Sequence, residues 1–149
     1  MDRLRAAGCV FAEEEAELLD SGWLPTGDLG SLDTDGNLRV HGRIKEMINC
    51  GGEKITPFEV EEVLRTHAGI EDAAVFGVPD PTFGEAVACL VVPRTSARLD
   101  VVKVRTHVLE RLAPVKCPKW IRLVTAIPVG PSGKVVRRRL AEEFVPEQL

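Results

Sequence analysis

One lysine and three arginines stand close together near the C-terminal end of the chain, in the stretch IPVGPSGKVVRRRL at residues 127–140. Lys134 follows a Pro-Ser-Gly turn, and the arginines are Arg137, Arg138 and Arg139. Ammonium and guanidinium groups donate charge-assisted hydrogen bonds to phosphate oxygens. The stretch therefore suggests a phosphate-binding site, and the spacing of its residues can be compared with that of known phosphate-binding motifs.

The spacing excludes a P-loop. That motif needs GxxxxGK followed by Ser or Thr, but Pro128 stands in place of the first glycine and Val135 in place of the hydroxyl residue. Two interpretations of Lys134 remain: a solvated loop lysine, or a long ammonium that meets developing negative charge in an active site. Two interpretations of the arginines also remain: they could contact phosphates, or they could form solvated pairs with Glu142 and Glu143.

Charge and composition limit the class of protein. The formal net charge of −4 argues against a general nucleic-acid binder. No apolar run approaches the roughly 18–20 residues of a membrane span, and the N-terminal stretch lacks a secretory pattern, so a cytoplasmic protein is expected. The cysteines and histidines lack metal-ligand spacing, which predicts reduced thiols and no metal site. They are Cys9, Cys50, Cys89, Cys117, His41, His67 and His107.

The pattern of the chain predicts the elements that position these residues. Alternating residues around Asp35 and Gly36 predict a β-hairpin near 28–42. After Arg43, the stretch IKEMINCGGEKI predicts a short strand that runs into a Gly-Gly loop at Gly51 and Gly52. Three further strands are predicted at 72–80, 85–93 and 119–128, and helices at 12–20, from Pro57 after Thr56, from Asp100 to Pro114, and after Gly133. The fold class is therefore α+β: a small, mostly antiparallel three-stranded sheet with packed helices, preceded by a β-hairpin.

Three segments carry a family resemblance: GWLPTGDLGSLDTDGNL at 22–38, GRIKEMINCGGEKITPFEVEEVL at 42–64, and PSGKVVRRRL at 131–140. Together they resemble the C-terminal part of the adenylate-forming (AMP-binding) enzymes, which include acyl-CoA synthetases, luciferases and peptide-synthetase adenylation domains. The resemblance implies that residues 1–42 are the tail end of a large N-terminal AMP-binding domain. It also implies that residues 43–149 are the C-terminal lid domain.

The resemblance also implies roles for individual residues. Thr26, Asp28 and Arg43 match nucleotide-binding positions, and an acceptor-only carboxylate such as that of Asp28 suits two ribose hydroxyls. Lys45 matches the hinge about which the lid rotates. ATP, AMP and CoA are the implied substrates.

Two faces of the lid are implied to serve two half-reactions. Lys134 matches the lysine that offsets charge during formation of the acyl-adenylate from ATP and a carboxylate. The loop of Gly51, Gly52 and Glu53 matches the loop beside the pantetheine arm during thioester formation. Lys45 and CGGEKI favour an acyl- or aryl-CoA synthetase over a peptide-synthetase adenylation domain.

The expected function is thus that of the C-terminal lid module of an acid–thiol ligase, with a link to fatty acid metabolism. The chain alone is not expected to be active, because its Mg²⁺ ligands and acyl pocket would belong to an N-terminal domain supplied in cis or in trans. Expected partners are that domain and CoA or a carrier-protein pantetheine. Residues 1–42 are expected either to self-associate through an unpaired strand edge or to be disordered. Two alternatives remain: a non-enzymatic truncated or partner-binding domain, and the lid of an adenylation domain that loads a carrier protein.

Overall fold

A computed structural model of the chain describes residues 27–94 and 99–144. The predicted helix at 12–20 and the candidate residues Thr26 and Cys9 lie outside these ranges. The chain divides into two units, residues 1–45 and 46–149. None of the helices in the described ranges is long and apolar enough to span a membrane.

The first unit contains the predicted β-hairpin. Strand β1 (Asp28–Leu32) pairs antiparallel with β2 (Leu38–Arg43), as the alternation around the Asp-Gly pair indicates. Gly36 lies in the connecting loop with φ of 84°, a left-handed conformation that glycine adopts without steric cost. The sequence pattern is therefore sufficient to predict this element.

The loop of this hairpin is longer than a two-residue turn and is closed by Asp33. The Asp33 carboxylate accepts hydrogen bonds from the backbone amide of Asn37 at 2.8 Å and from its Nδ2 at 3.0 Å. These bonds, with the Asn37 side chain contributing most, lower the pKa of Asp33. The loop is thus held by a local carboxylate that the prediction did not single out.

The second unit contains a five-stranded sheet. Its strands are β3 (Ile48–Cys50), β4 (Glu53–Ile55), β5 (Ile70–Asp80), β6 (Gly84–Pro93) and β7 (Trp120–Leu123). Strands β4, β3, β6 and β5 lie in that order and are antiparallel, whereas β7 pairs parallel with β6. The predicted α+β class with a mostly antiparallel sheet is confirmed, but the sheet has five strands where three are predicted.

Three helices pack on this sheet: α1 (Pro57–Arg65), α2 (Val101–Leu109) and α3 (Arg137–Glu143). Helix α1 begins at Pro57 as predicted, although the side chain of Thr56 makes no capping bond within the described part of the chain. Asp100 caps α2 as predicted, because its carboxylate accepts from the Val102 amide at 2.9 Å. The predicted helices after Thr56, Asp100 and Gly133 are thus confirmed.

Each face of the sheet carries its own apolar core, because successive residues of β5 and β6 point to opposite faces. One core joins the sheet to α1 and α2; its fully buried members include Val60, Leu64, Val75, Cys89, Val104 and Val108. The other joins the sheet to α3 through Phe76, Val78, Leu90 and Leu140. The described cysteines are free thiols, as predicted, and burial strongly raises the pKa of the Cys89 thiol.

Candidate functional site

Lys134 lies at the end of a tight turn on the α3 side of the sheet. The Gly130 amide donates to the Lys134 carbonyl and the Gly133 amide donates to the Gly130 carbonyl, both at 2.9 Å. Gly133 has φ of 73°, which explains the glycine before the lysine. The next residue, Val135, packs against the core shared with α3. The turn is therefore braced on both sides of Lys134.

The Lys134 side chain is exposed, and its ammonium has no hydrogen-bond or ion-pair partner within residues 27–94 and 99–144. An unpaired ammonium on a braced turn is suited to meet an external anion, because it acts as a compact point charge on a flexible stem. The geometry is compatible with the predicted catalytic role of Lys134.

The three neighbouring arginines have different environments. Arg138 pairs with Glu142 at 2.9 Å and Arg139 pairs with Glu143 at 2.6 Å, both as exposed i,i+4 pairs on α3. The predicted solvated pairs are thus confirmed for these two arginines. For Arg137 that interpretation is wrong, because its side chain is only 20% exposed and donates to Glu46, Glu61 and the Val75 carbonyl.

Gly51 and Gly52 form the two-residue turn between β3 and β4. Their φ angles are 59° and 91°, the left-handed values that a turn of this kind requires at both positions. The Gly51 amide donates to the Phe83 carbonyl at 2.9 Å, and a Cβ on Gly51 would lie 3.2 Å from the Phe83 ring. A Cβ on Gly52 would meet open space. The turn is therefore anchored through Gly51 and open at Gly52, with Glu53 exposed beside it.

The β5–β6 turn that anchors Gly51 is organised by Asp80. The Asp80 side chain, 2% exposed, accepts from the amides of Thr82 at 2.9 Å and Phe83 at 3.0 Å and forms an ion pair with Lys119. The Lys119 hydrogen bond, followed by those from the two amides, lowers the pKa of Asp80. Sequence reasoning missed Asp80, although an aspartate that ends a strand before Pro-Thr-Phe-Gly is a recognisable turn signal.

Asp28 and Arg43 face each other across the hairpin of the first unit. They are directly opposite in the β1–β2 ladder, and Arg43 Nε lies 3.1 Å from Asp28 Oδ1. The pair presents a carboxylate acceptor and a guanidinium donor at one place, the two kinds of group that ribose hydroxyls can bond. Thr26, the third candidate in this group, lies outside the described residues.

Lys45 is exposed and occupies a short 3-10 turn, Ile44–Glu46. The boundary between the two units falls directly after it. A hinge is typically formed by a few residues of this kind, at the end of an element between two units. The position of Lys45 is thus compatible with the predicted hinge.

The comparisons with known proteins decide the family. Residues 59–134 match the family described as the AMP-binding enzyme C-terminal domain, slightly more than half of the 149-residue chain. The chain belongs to this family.

Relatives of this C-terminal domain include named CoA ligases. The sulfoacetate–CoA ligase of Cupriavidus necator is 48% identical over 119 residues, which are 80% of this chain and 23% of that protein. The oxalate–CoA ligase of Arabidopsis thaliana is 44% identical over 124 residues, 83% of this chain and 24% of that protein. The chain thus spans about a quarter of the length of these curated relatives.

The fold agrees with that of a solved adenylate-forming enzyme. The amide bond synthetase McbA from Marinactinospora thermotolerans superposes with a TM-score of 0.78 and 37% identity over 87% of this chain and 26% of that chain. The predicted membership of the adenylate-forming superfamily is therefore confirmed.

Within the unit of residues 46–149, the two predicted reaction elements lie in different turns of the fold. Lys134 lies next to the core shared with α3, whereas the Gly51–Gly52 turn lies at the end of the sheet beside the β5–β6 turn. Asp28 and Arg43 belong to the other unit. Among residues 27–94 and 99–144, no group of three or more His, Cys, Asp and Glu residues is placed to hold a metal ion.

Proposed function

We propose that this chain acts as the lid of a CoA ligase, in which Lys134 serves formation of the acyl-adenylate and the Gly51–Gly52 turn serves formation of the thioester. The observation that carries the proposal is the exposed Lys134 ammonium at the end of a braced turn, without a partner among the described residues. The names of the two curated relatives support CoA as the acceptor.

In the first half-reaction a carboxylate attacks the α-phosphate of ATP, and pyrophosphate leaves. Negative charge accumulates where the two anions meet, and an ammonium placed there stabilises the transition state more than the separated reactants. Lys134 is the proposed source of that charge. Asp28 and Arg43, 3.1 Å apart, would bind the ribose hydroxyls together with Thr26.

In the second half-reaction a thiol displaces AMP. The open side of Gly52 and the exposed Glu53 would line the path of the pantetheine arm, because a backbone without Cβ atoms permits close approach of a narrow ligand. Lys45 would be the hinge between the two arrangements of the lid. The two reaction elements would then be used in turn.

Sites for Mg²⁺ and for the acyl group are proposed to lie in an N-terminal AMP-binding domain that acts with this lid. We therefore assign no metal-binding role to the described residues. We expect the chain by itself to form no acyl-adenylate, because binding of the carboxylate and of the triphosphate depends on that other domain.

A domain replacement tests the proposal. In the sulfoacetate–CoA ligase of Cupriavidus necator, the segment that matches this chain would be replaced by this chain in full, and CoA thioester formation from sulfoacetate would be measured. We expect activity well above that of the ligase lacking the segment. A replacement enzyme that unfolds cooperatively on heating but is no more active than the truncated ligase would refute the proposed function.

A further inference from the structure

We propose that Arg137 is a positioning residue that fixes the Lys134 turn to the residues directly after the hinge. This inference rests on the proposed function of Lys134. It concerns how that lysine is held, and it assigns a role to one arginine of a three-arginine run whose members are indistinguishable by type.

The geometry of Arg137 joins four parts of the C-terminal domain. Arg137 is the first residue of α3 and follows Lys134 by three positions. Its Nε donates to the Val75 carbonyl on β5 at 3.0 Å, and its Nη2 donates to both carboxylate oxygens of Glu61 on α1, at 2.8 and 3.0 Å. Its Nη1 donates to Glu46 at 2.7 Å, and Glu46 directly follows Lys45.

Burial of the Glu61 side chain fixes the orientation of Arg137. The Glu61 side chain is 4% exposed and also accepts from the Val75 amide at 2.9 Å, so one strand residue contributes both its donor and its acceptor to the network. A planar guanidinium can satisfy three acceptors in fixed directions, whereas an ammonium acts as a single point charge. Arg137 is therefore held in one orientation by groups that are themselves fixed by the sheet and by α1.

Helix α3 depends on this anchor. It has seven residues, Leu140 is its buried residue, and the side chain of Val136 at its N-cap makes no capping bond in the described part of the chain. A helix this short is marginal without tertiary contacts. Leu140 and its partly buried neighbours Val135, Ala141 and Phe144 provide apolar contacts with the sheet. Arg137 adds the hydrogen bonds that join this segment to β5, α1 and Glu46. Rotation about the hinge would then carry Glu46 and the Lys134 turn as one rigid piece.

The first test uses hydrogen exchange in the full chain. The amides of Gly130 and Gly133 report on the turn because both donate hydrogen bonds within it. We expect Arg137→Lys to speed exchange at Gly130 by about 10-fold or more relative to the amides of β5 and β6, because the local opening of the turn is no longer restrained by the network. Arg138→Lys on the same helix is the matched control and should change nothing. Unchanged exchange at Gly130 in Arg137→Lys would overturn the proposal.

The second test measures each half-reaction in the replacement enzyme. We expect Arg137→Lys and Arg137→Met to slow sulfoacetate-dependent ATP–pyrophosphate exchange by about 10-fold or more, because misplacement of a charged group by about 1 Å weakens transition-state stabilisation strongly. Thioester formation from supplied acyl-adenylate should change by less than about 3-fold, since Lys134 acts only in the first step. Glu46→Gln should also slow ATP–pyrophosphate exchange more than thioester formation, but by a smaller factor than the Arg137 variants.

The outcomes separate this inference from the proposed function. An equal loss of both half-reactions in Arg137→Lys and Glu46→Gln would indicate a merely structural role and overturn the inference. Should Arg137→Met not fold, those two variants decide alone. Lys134→Ala is the reference variant. If Lys134→Ala leaves the rate of ATP–pyrophosphate exchange unchanged, the proposed function is refuted. If Lys134→Ala slows this exchange and the Arg137 variants do not, only the positioning role of Arg137 is refuted.

Discussion

At the scale of single residues, the three consecutive arginines show what sequence can and cannot predict. The i,i+4 spacing of Arg138 and Arg139 to glutamates is local, and the predicted pairs are present. The partners of Arg137 lie 62 to 91 positions away along the chain, at Val75, Glu61 and Glu46. A contact of that range depends on how α1, β5 and α3 assemble, so no local spacing signals it.

Asp80 carries a pH prediction. Hydrogen bonds from Lys119 and two amides lower the pKa of its carboxyl group in the folded state. A depressed folded-state pKa contributes stability that is complete above the ordinary carboxyl pKa of about 3.9 and is lost as the pH falls through the lower folded value. We therefore expect Asp80→Asn to lower the free energy of unfolding at pH 7 and to weaken its decline between about pH 5 and pH 3.

Urea unfolding of the full chain at several pH values measures this effect. Glu62→Gln, which removes an exposed carboxylate from α1, should keep the wild-type pH dependence. The same slope in Asp80→Asn and in wild type would show that the Asp80 carboxylate does not carry the stabilisation.

At the scale of elements, the predicted hairpin and the long strands are present because their signals are strong and local. Alternation around Asp35 and Gly36 and continuous apolar runs at 72–80 and 85–93 each extend over several residues. Strands β3 and β4 have three residues each and are too short to show a period. The sequence predicts a short strand before the Gly-Gly loop, which β3 confirms, but no strand after it. Two glycines between short extended segments are also a hairpin signal, and that signal would have predicted β4.

Substitutions in the β3–β4 turn should affect the second half-reaction. In the replacement enzyme, Gly52→Leu should slow thioester formation from supplied acyl-adenylate by about 10-fold and spare ATP–pyrophosphate exchange, because the leucine would fill the open side of the turn and strain a residue with φ of 91°. Gly52→Asn should slow thioester formation by a smaller factor, since asparagine tolerates a left-handed conformation. Equal loss of both half-reactions would count against the assignment of this turn to the thiol.

The hairpin of the first unit exposes one apolar face. Leu32 and Leu38 are cross-strand partners that are 68% and 51% exposed, and Val40, also 51% exposed, is two residues further along β2 on the same face. A two-stranded hairpin is marginal in water unless such a face is covered. We expect the chain to self-associate through this face, which is a different surface from the strand edge that the sequence indicates.

Sedimentation velocity at increasing protein concentration measures this association. The combined variant Leu32→Thr, Leu38→Thr and Val40→Thr should lower the association constant by about 10-fold or more, since it removes most of the exposed apolar area. Val102→Thr, at a 70% exposed position on α2, should leave it unchanged. A wild-type chain that stays monomeric at every concentration would contradict the prediction.

At the scale of the whole molecule, the family could be recognised from three short segments, and the comparisons confirm it. Those segments carry the special backbone angles and charged positions of the fold, such as the two turn glycines and the Gly-Lys pair, and these depend little on the rest of the chain. In the proposed function, the acid would be bound by a pocket that the resemblance assigns to another domain. For that reason the sequence predicts a reaction type and not a substrate.

Lys134 is the group that we propose to serve formation of the acyl-adenylate. The most direct measurement compares Lys134→Ala with Lys103→Ala, an exposed lysine of α2, in sulfoacetate-dependent ATP–pyrophosphate exchange by the replacement enzyme. Loss of one group that stabilises transition-state charge typically costs about 10²–10³ in rate, so we expect that loss in Lys134→Ala and full activity in Lys103→Ala. Equal exchange rates in the two variants would contradict the claim.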